Sequence, residues 1–251
     1  GGVLDNICNS ACQSCNETLS TKIGSLKSRD YKKINNFDNF FSIPQQRIIE
    51  LDINGGEPTA SPNYKKLLRN LPQSVKIVRL NTNVSRLIPE VVELLEEGTR
   101  VIVTMSFDGV GSIHDYARWP ILWNDYRENV LKYLELRKKF SNLRLNMWTT
   151  VSSLNVGNME QIINFALNNM IDHSYGFCLR PSELDIRYQN KLTIDAKAKL
   201  DCSKNKLLQA ISRKCAIWDR NSDKIKAFVH QQDTIRNIRF EDYFNFEPNL
   251  L

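Results

Sequence analysis

Residues 51–58 carry the pattern that decides the fold, and they read Leu51-Asp52-Ile53-Asn54-Gly55-Gly56-Glu57-Pro58. Apolar residues alternate with polar ones up to Asn54, which predicts a strand that ends directly in a loop. Glycine lets a backbone approach a bound ligand closely, and Glu57 places a carboxylate in the same loop. An Asn-Gly-Gly sequence alone is more often only a turn, so its meaning depends on the rest of the chain.

Short apolar runs alternate with segments of helical spacing along the chain. Six strands are predicted, at residues 3–7, 48–53, 76–81, 101–107, 143–151 and 175–179. Helices are predicted between them, at residues 63–71, 89–97, 125–140 and 159–170. Right-handed crossovers between parallel strands curl such a sheet, which predicts an α/β fold with a partial (β/α)6 TIM-like barrel. Functional residues are then expected at the carboxyl ends of the strands.

The segment after the sixth strand reads mostly as helix, with residues 197–214 and 222–232 the clearest cases. The sequence therefore predicts a barrel core at residues 1–190 and a mainly helical C-terminal extension at residues 191–251. Residues 180–239 hold 14 Lys and Arg against 7 Asp and Glu, a net +7 in a chain of formal charge +6. A basic segment fits nucleic acid, a phosphorylated substrate or an acidic carrier, although the interleaved acids favour solvated helix faces.

The composition is that of an ordinary globular protein, with 41% hydrophobic and 25% charged residues. No window holds the roughly 18 consecutive apolar residues of a membrane span, and no basic segment followed by an apolar stretch opens the chain. We therefore expect a cytoplasmic protein that does not enter a membrane. Six cysteines are too few and too unevenly spaced for a disulfide framework, so reduced thiols or metal ligands are expected.

Three of the cysteines follow the first predicted strand, in Cys8-Asn9-Ser10-Ala11-Cys12-Gln13-Ser14-Cys15. This close spacing lets three thiolates converge on one metal centre. A zinc site needs a fourth ligand, and the nearest histidine, His114, is about a hundred residues away. An iron–sulfur cube can use three cysteines and leave one iron open. On this motif alone, structural zinc and unliganded thiols remain alternatives.

Together, the cysteine motif and the Gly-Gly-Glu-Pro loop one strand later resemble the radical S-adenosylmethionine superfamily. In that family, three cysteines ligate a 4Fe-4S cluster, and the methionine moiety of S-adenosylmethionine chelates the fourth iron. The cluster ligands that the resemblance implies are Cys8, Cys12 and Cys15. The residues that it implies hold S-adenosylmethionine, in a loop that meets the amino group, are Gly55, Gly56 and Glu57.

The fourth predicted strand and the segment after it resemble the Ser-Ile-Asp-Gly and His-Asp-x-x-Arg elements of members with SPASM or twitch extensions. The resemblance implies that Ser106 contacts the ribose or methionyl part of the cofactor and that Arg118 binds its carboxylate. Arginine suits a carboxylate because it forms paired hydrogen bonds. The resemblance also implies that Asp108 lies near the substrate, where a catalytic role is expected. For His114 and Asp115, a loop or helix-start role is favoured over catalysis.

Further candidates lie at the ends of the third, fifth and sixth strands. Asn83 and Asn155 resemble cofactor-binding positions of the same relatives, although polar residues at strand ends commonly cap a loop. Cys178 places a thiol at the carboxyl end of the sixth predicted strand and is a candidate catalytic residue. Cys202 and Cys215 are more often buried hydrophobes than ligands, so the complete auxiliary cluster of SPASM and twitch enzymes is not expected.

The activity implied by the resemblance is reductive cleavage of S-adenosylmethionine to methionine and a 5′-deoxyadenosyl radical. That radical abstracts hydrogen from a peptide or small-molecule substrate, and a flavodoxin or ferredoxin is the expected reducing partner. Three alternatives remain: a catalytically silent iron–sulfur or zinc binding module, a nucleotide- or RNA-modifying radical enzyme, and a non-radical barrel enzyme that acts on phosphorylated ligands.

Overall fold

A six-stranded sheet organises the chain, with its strands in the order β1-β2-β3-β4-β5-β6. The computed structural model describes residues 2–27, 30–42, 44, 47–218 and 223–244. The strands are β1 (Gly2–Val3), β2 (Glu50–Asn54), β3 (Ile77–Thr82), β4 (Arg100–Ser106), β5 (Leu143–Val151) and β6 (Asp172–Phe177). Sequential order with parallel pairing is the arrangement of an open α/β sheet, so the predicted partial TIM-like barrel is confirmed.

Helices lie between the strands and after β6. They are α1 (Thr21–Leu26), α2 (Phe37–Phe41), α3 (Pro62–Arg69), α4 (Pro89–Glu96), α5 (Ser112–Ala117), α6 (Trp123–Lys139), α7 (Met159–Asn168), α8 (Lys191–Asp201), α9 (Lys206–Ser212) and α10 (Asp223–Arg236). The four helices predicted between strands are present with small shifts at their ends. The short helices α1, α2 and α5 were not predicted, because five or six residues carry too little periodic signal.

Three predictions on element bounds were wrong in part. The first strand is shorter than predicted, because Asp5 turns from the β1–β2 ladder to an antiparallel bridge with Asn35. The helix predicted at 197–214 is two helices, since the Asn205 side chain caps α9 by accepting the Leu207 N–H at 2.9 Å. The sixth strand starts earlier than predicted, at Asp172, where polar residues hide the strand pattern. Ser222 of the predicted helix 222–232 lies outside the described residues.

The two faces of strands β2 to β4 differ in character. In register, Ile53 pairs with Leu80 and Leu80 with Val103, and these buried side chains form one apolar face. The alternate positions carry Asp52 beside Arg79, which are more accessible to solvent, and the buried Ile102 beside Arg79. A sheet with one apolar and one polar face packs its apolar side under helices and leaves the other for solvent or ligand.

The chain divides into two compact units. Unit 1 comprises residues 1–11, 15–106 and 124–147, and unit 2 comprises residues 12–14, 107–123 and 148–251. The predicted domain boundary at residue 190 falls within unit 2 and stays a prediction. Within the described ranges, every helix is too short or too polar to cross a lipid bilayer.

Candidate functional site

The Gly-Gly-Glu loop at the end of β2 packs directly on the segment that leads into the cysteine motif. Gly55 and Gly56 have φ angles of +89° and +55°, values that glycine adopts without strain. A Cβ at Gly56 would lie 2.5 Å from the Ile7 carbonyl oxygen, so a larger residue has no room. The Glu57 N–H donates to that same oxygen at 2.7 Å. Unit 1 therefore holds the loop against the residue that precedes Cys8.

A buried carboxylate, Asp5, stabilises the segment that leads into the cysteine motif. Its Oδ1 accepts the Ile7 N–H at 3.0 Å, and its Oδ2 accepts the Ser61 hydroxyl at 2.5 Å and the Asn63 side-chain amide at 2.9 Å. Ser61 also caps helix α3 by accepting the backbone N–H of Asn63. The start of α3 is thereby fixed to the chain that enters the cysteine motif.

The Glu57 side chain joins the ends of β2 and β3. Its Oε2 accepts the Asn83 N–H at 2.6 Å. Its Oε1 accepts the Thr82 hydroxyl at 2.8 Å and both the N–H and the hydroxyl of Thr59, at 3.1 and 3.0 Å. Burial raises the pKa of this carboxyl, and the four hydrogen bonds act in the opposite direction. The carboxylate therefore holds together the loops that follow β2 and β3.

Asn83 connects the end of β3 to the cysteine motif. Its side-chain amide donates to Asn9 Oδ1 and to Ser10 Oγ, both at 2.8 Å, and its Oδ1 accepts the Ser85 N–H at 3.0 Å. The side chain is thus committed to holding the cysteine loop. The predicted contact of Asn83 with the cofactor stays a prediction.

The three thiols of the motif differ in exposure. Cys8 and Cys15 are half-buried and Cys12 is buried, and none of the three forms a disulfide. The Cys8 sulfur accepts the Ser10 N–H at 3.4 Å, and its own N–H donates to the Thr21 hydroxyl at 3.1 Å. Hydrogen bonds to sulfur are among the means by which proteins stabilise iron–sulfur clusters.

The donor set of the motif suits a 4Fe-4S cluster, since three reduced thiols lie within eight residues and one receives an N–H bond. In the described part of the chain, no three His, Cys, Asp or Glu side chains are arranged around a common point as metal ligands.

Cys12 belongs to unit 2, where its carbonyl oxygen accepts a hydrogen bond from helix α10. The Arg236 guanidinium donates from Nη2 to the Cys12 carbonyl oxygen at 3.2 Å. Burial raises the pKa of the Cys12 thiol, and the charges of Arg118 and Arg236 act in the opposite direction. Two largely buried cations thus lie in the electrostatic surroundings of this thiol.

Asp108 and Arg118 form a buried ion pair in unit 2. Arg118 Nη1 donates to Asp108 Oδ2 at 2.9 Å, and the exposed fractions of the two side chains are 12% and 4%. Asp108 Oδ1 accepts the Thr150 N–H at 2.8 Å. Both carboxylate oxygens are therefore engaged, and the carboxylate fixes the orientation of the guanidinium.

Asn155 and Ser106 lie at the ends of β5 and β4. The Asn155 amide donates to the carbonyl oxygens of Asp108 and Thr150, at 3.1 and 3.0 Å, and its Oδ1 accepts the Ser152 N–H at 2.8 Å. Asn155 therefore closes a loop around Asp108. Ser106 is the half-buried last residue of β4. The predicted cofactor contacts of both residues stay predictions.

Two further candidates are buried in unit 2. Cys178 belongs to a hydrophobic cluster that contains Tyr116 and Phe240, and burial raises the pKa of its thiol to about 12. A thiol with this pKa stays protonated at neutral pH. His114 is fully buried in helix α5, and burial lowers its pKa to about 3. Asp115 accepts the Trp123 N–H, which agrees with the loop role favoured for this pair.

Sequence reasoning gave no site role to Asp5, Thr59 or Arg236. Asp5 lies three residues before Cys8, but no motif assigns a role to that position. Thr59 follows the Gly-Gly-Glu-Pro loop by one residue, so proximity to Glu57 was the available signal. Arg236 is far from the motif in sequence, and only the tertiary structure brings it to Cys12.

No family model and no curated protein matches this sequence. The solved structures that resemble it in fold include two of anSMEcpe. Native anSMEcpe with bound AdoMet superposes with a TM-score of 0.52 and 17% identity, over 95% of this chain and 63% of that chain. Histidine-tagged anSMEcpe with bound AdoMet gives a TM-score of 0.51 and 18% identity, over 87% of this chain and 63% of that chain.

The chain spans less than two thirds of the length of anSMEcpe, and almost all of it takes part in the match. At this level of identity the likeness concerns the fold. The sheet order, the parallel pairing and this superposition agree with the architecture that the sequence motifs predicted. This chain therefore has a partial-barrel α/β fold like that of anSMEcpe.

Proposed function

We propose that this chain is a radical S-adenosylmethionine enzyme that acts on a peptide or small-molecule substrate. A 4Fe-4S cluster, when bound, supplies the electron that cleaves S-adenosylmethionine, and the 5′-deoxyadenosyl radical so formed abstracts a substrate hydrogen. One observation carries the proposal: the Gly-Gly-Glu loop and the cysteine loop are joined by the bond from the Glu57 N–H to the Ile7 carbonyl. The AdoMet bound to anSMEcpe, which shares the fold, supports it.

The chain's task toward the cluster is to present three thiolates. Cys8, Cys12 and Cys15 would be the ligands, with the Ser10 N–H stabilising the sulfur of Cys8. A reducing compartment such as the cytoplasm keeps such thiols available, and none of the six cysteines forms a disulfide. Flavodoxin or ferredoxin is the proposed electron donor.

The chain's task toward S-adenosylmethionine is to hold its charged methionyl end. The backbone of Gly55 and Gly56 would receive the amino group. Because neither residue has a Cβ, the loop packs closely on Asp5 and Ile7 and is held beside the cysteine motif. Arg118 would bind the carboxylate. Asp108 fixes the guanidinium beforehand, which lowers the entropy lost on binding. Ser106 is proposed to contact the ribose or methionyl part.

The polar face of the sheet in unit 1 is the proposed substrate surface. Asp52, Asn54, Asn81 and Thr104 occupy alternate positions at the carboxyl ends of three strands. The Asn54 amide donates to Asp52, and Asn81 donates to Asn54, so these side chains form a chain of hydrogen bonds. Amide and carboxylate groups of this kind recognise polar groups such as peptide amides.

The remaining candidates receive narrower roles in this proposal. Asp108 acts by positioning Arg118, since both of its oxygens are engaged. Cys178 would act as a neutral thiol if it reaches the substrate, because its raised pKa disfavours the thiolate.

The test is a cleavage assay on protein purified without oxygen and reconstituted with iron and sulfide. After reduction, S-adenosylmethionine is added, and 5′-deoxyadenosine and methionine are quantified by mass spectrometry. We expect equal amounts of both products from the wild type and none from Cys12→Ala. A wild-type sample with a verified, reduced cluster that yields no 5′-deoxyadenosine would contradict the proposal and favour a silent iron–sulfur binding module.

A further inference from the structure

Helix α10 contacts the cysteine motif at Cys12. Arg236, the final residue of α10, donates to the Cys12 carbonyl oxygen at 3.2 Å. Its Nη1 donates to the Gln232 carbonyl oxygen at 3.0 Å and also to the Gln232 side-chain oxygen. The side chain is only 3% exposed, so α10 brings a buried positive charge to the backbone of the cysteine loop.

Asp233 fixes the turn of α10 that presents Arg236. Its Oδ1 accepts the Tyr116 hydroxyl at 2.7 Å, and its Oδ2 accepts the Phe240 N–H at 2.6 Å. The Tyr116 ring is fully buried and packs edge-on against Phe240 and Phe244. These contacts give Arg236 a defined position rather than that of a mobile surface side chain.

The residue after Cys12 is held as well. The Gln13 N–H donates to the Ala117 carbonyl oxygen at 3.0 Å, and the Gln13 side-chain amide donates to the Tyr116 carbonyl oxygen at 3.4 Å. Residues 12–14 are therefore restrained by α5 through Gln13 and by α10 through Arg236. A ligand backbone restrained in this way is set before any metal binds.

We propose that Arg236 is a positioning residue for the iron–sulfur site, an inference that rests on the proposed function. Its hydrogen bond sets the backbone at Cys12, and its charge compensates the cluster. A cluster held by three thiolates is anionic and gains one more negative charge on reduction. A buried cation close to it therefore favours the reduced state, in which the electron for S-adenosylmethionine cleavage is stored.

Three variants of the full chain separate charge from packing. Arg236→Gln removes the charge, and Arg236→Lys keeps it but lacks the fork that reaches both Gln232 and Cys12. Arg239→Gln is the matched control, because Arg239 lies three residues later and pairs with Asp242 at the exposed surface. The reduction potential of each reconstituted protein is titrated and followed by EPR.

For Arg236→Gln we expect the ratio of reduced to oxidised cluster at a fixed potential to fall about tenfold, which corresponds to about 59 mV for one electron. Arg236→Lys and Arg239→Gln should titrate as the wild type does. The inference is overturned if Arg236→Gln titrates like the wild type, or if Arg236→Lys shifts as far as Arg236→Gln.

Amide hydrogen exchange on the metal-free chain supplies a second readout. We expect Gln13 to exchange at least about tenfold faster in Arg236→Gln and faster in Arg236→Lys, with no change in Arg239→Gln. If Arg236→Gln does not fold, the inference is tested with Arg236→Lys alone. A Gln13 amide that exchanges at the wild-type rate in Arg236→Lys then overturns the inference. A wild-type chain that assembles no cluster refutes the proposed function instead, so the two failures are distinct.

Discussion

The Glu57 carboxylate accepts the Asn83 N–H at 2.6 Å and thereby ties the end of β2 to the end of β3. Asn83 in turn holds Asn9 and Ser10 of the cysteine loop. The ends of β2 and β3 and the cysteine loop, all in unit 1, are thus connected through two side chains. The carboxylate of the Gly-Gly-Glu motif therefore holds two strand ends together, a role that cannot be predicted from its position in the sequence.

Glu57→Gln should destabilise unit 1. An amide nitrogen cannot accept the hydrogen bonds that Asn83 and Thr59 donate, so at least one buried donor loses its partner, at about 1–3 kcal/mol of unfolding free energy. Chemical denaturation measures the loss. Glu93→Gln, at an exposed surface pair with Arg69, is the control and should change the value by less than about 0.5 kcal/mol. Equal effects of the two substitutions would refute the role given to Glu57.

Gly56→Ala should cost more than Gly98→Ala. Both residues have positive φ angles, so both variants carry backbone strain of about 1–2 kcal/mol. Only the Cβ at Gly56 meets a backbone atom, the Ile7 carbonyl oxygen, whereas the Cβ at Gly98 meets nothing within 4 Å. We expect Gly56→Ala to lose at least about 1 kcal/mol more in thermal or chemical unfolding. A larger loss in Gly98→Ala would contradict the packing described here.

Asp108→Asn should free Arg118 from its fixed orientation. Removing one partner of a buried ion pair costs about 3 kcal/mol of unfolding free energy. If Arg118 binds the methionyl carboxylate, the Kd for S-adenosylmethionine should also rise about tenfold, or about 1.4 kcal/mol, by anaerobic calorimetry. Asp242→Asn, which breaks an exposed pair, should leave both quantities near the wild-type values. An unchanged Kd in Asp108→Asn would remove Asp108 from the cofactor site.

His114 should make the stability of the protein depend on pH. Its pKa is about 3 in the folded chain, because burial and the Arg118 charge disfavour the proton, whereas the unfolded chain has the ordinary value of about 6.5. The unfolded state binds the extra proton between these values, so stability falls as the pH falls through this window. From about pH 7.5 to about 5.5, the loss attributable to His114 is about 1.4 kcal/mol.

The comparison of the wild type with His114→Gln isolates this effect, since His173 also has a lowered pKa and contributes to both proteins. Unfolding free energies are measured at both pH values. The wild type should lose about 1.4 kcal/mol more than the variant on acidification. Parallel pH curves for the two proteins would show that His114 is not buried in its neutral form.

The strand–helix alternation could be predicted because, in a long segment, the spacing of the apolar residues indicates which face is buried and whether the segment is a strand or a helix. Strands β2 to β5 and helices α3, α4, α6 and α7 were predicted near their observed bounds. The start of β6 could not, since Asp172 and Ser174 hide its pattern. The break between α8 and α9 could not be predicted either. The apolar spacing continues across it, but the Asn205 side chain caps the start of a new helix there.

The sequence predicted that the motifs lie in loops at strand ends. It did not predict which residues of these loops form hydrogen bonds with one another. Local sequence does not show that Glu57 and Asn83 form a hydrogen bond, because they lie in the loops after two different strands. The same holds for Arg236 and Cys12, which are 224 residues apart. Contacts of this kind depend on tertiary packing, and a single sequence carries no periodic signal for them.

The most direct test of the central claim is EPR spectroscopy of the reconstituted, reduced protein with and without S-adenosylmethionine. The claim predicts about four iron atoms per wild-type chain and a cluster signal that shifts when S-adenosylmethionine is added. Cys12→Ala should lack the signal, and Cys202→Ala, at an exposed cysteine outside the motif, should retain it. Wild-type iron content no higher than that of Cys12→Ala, or a signal unaffected by S-adenosylmethionine, would contradict the account.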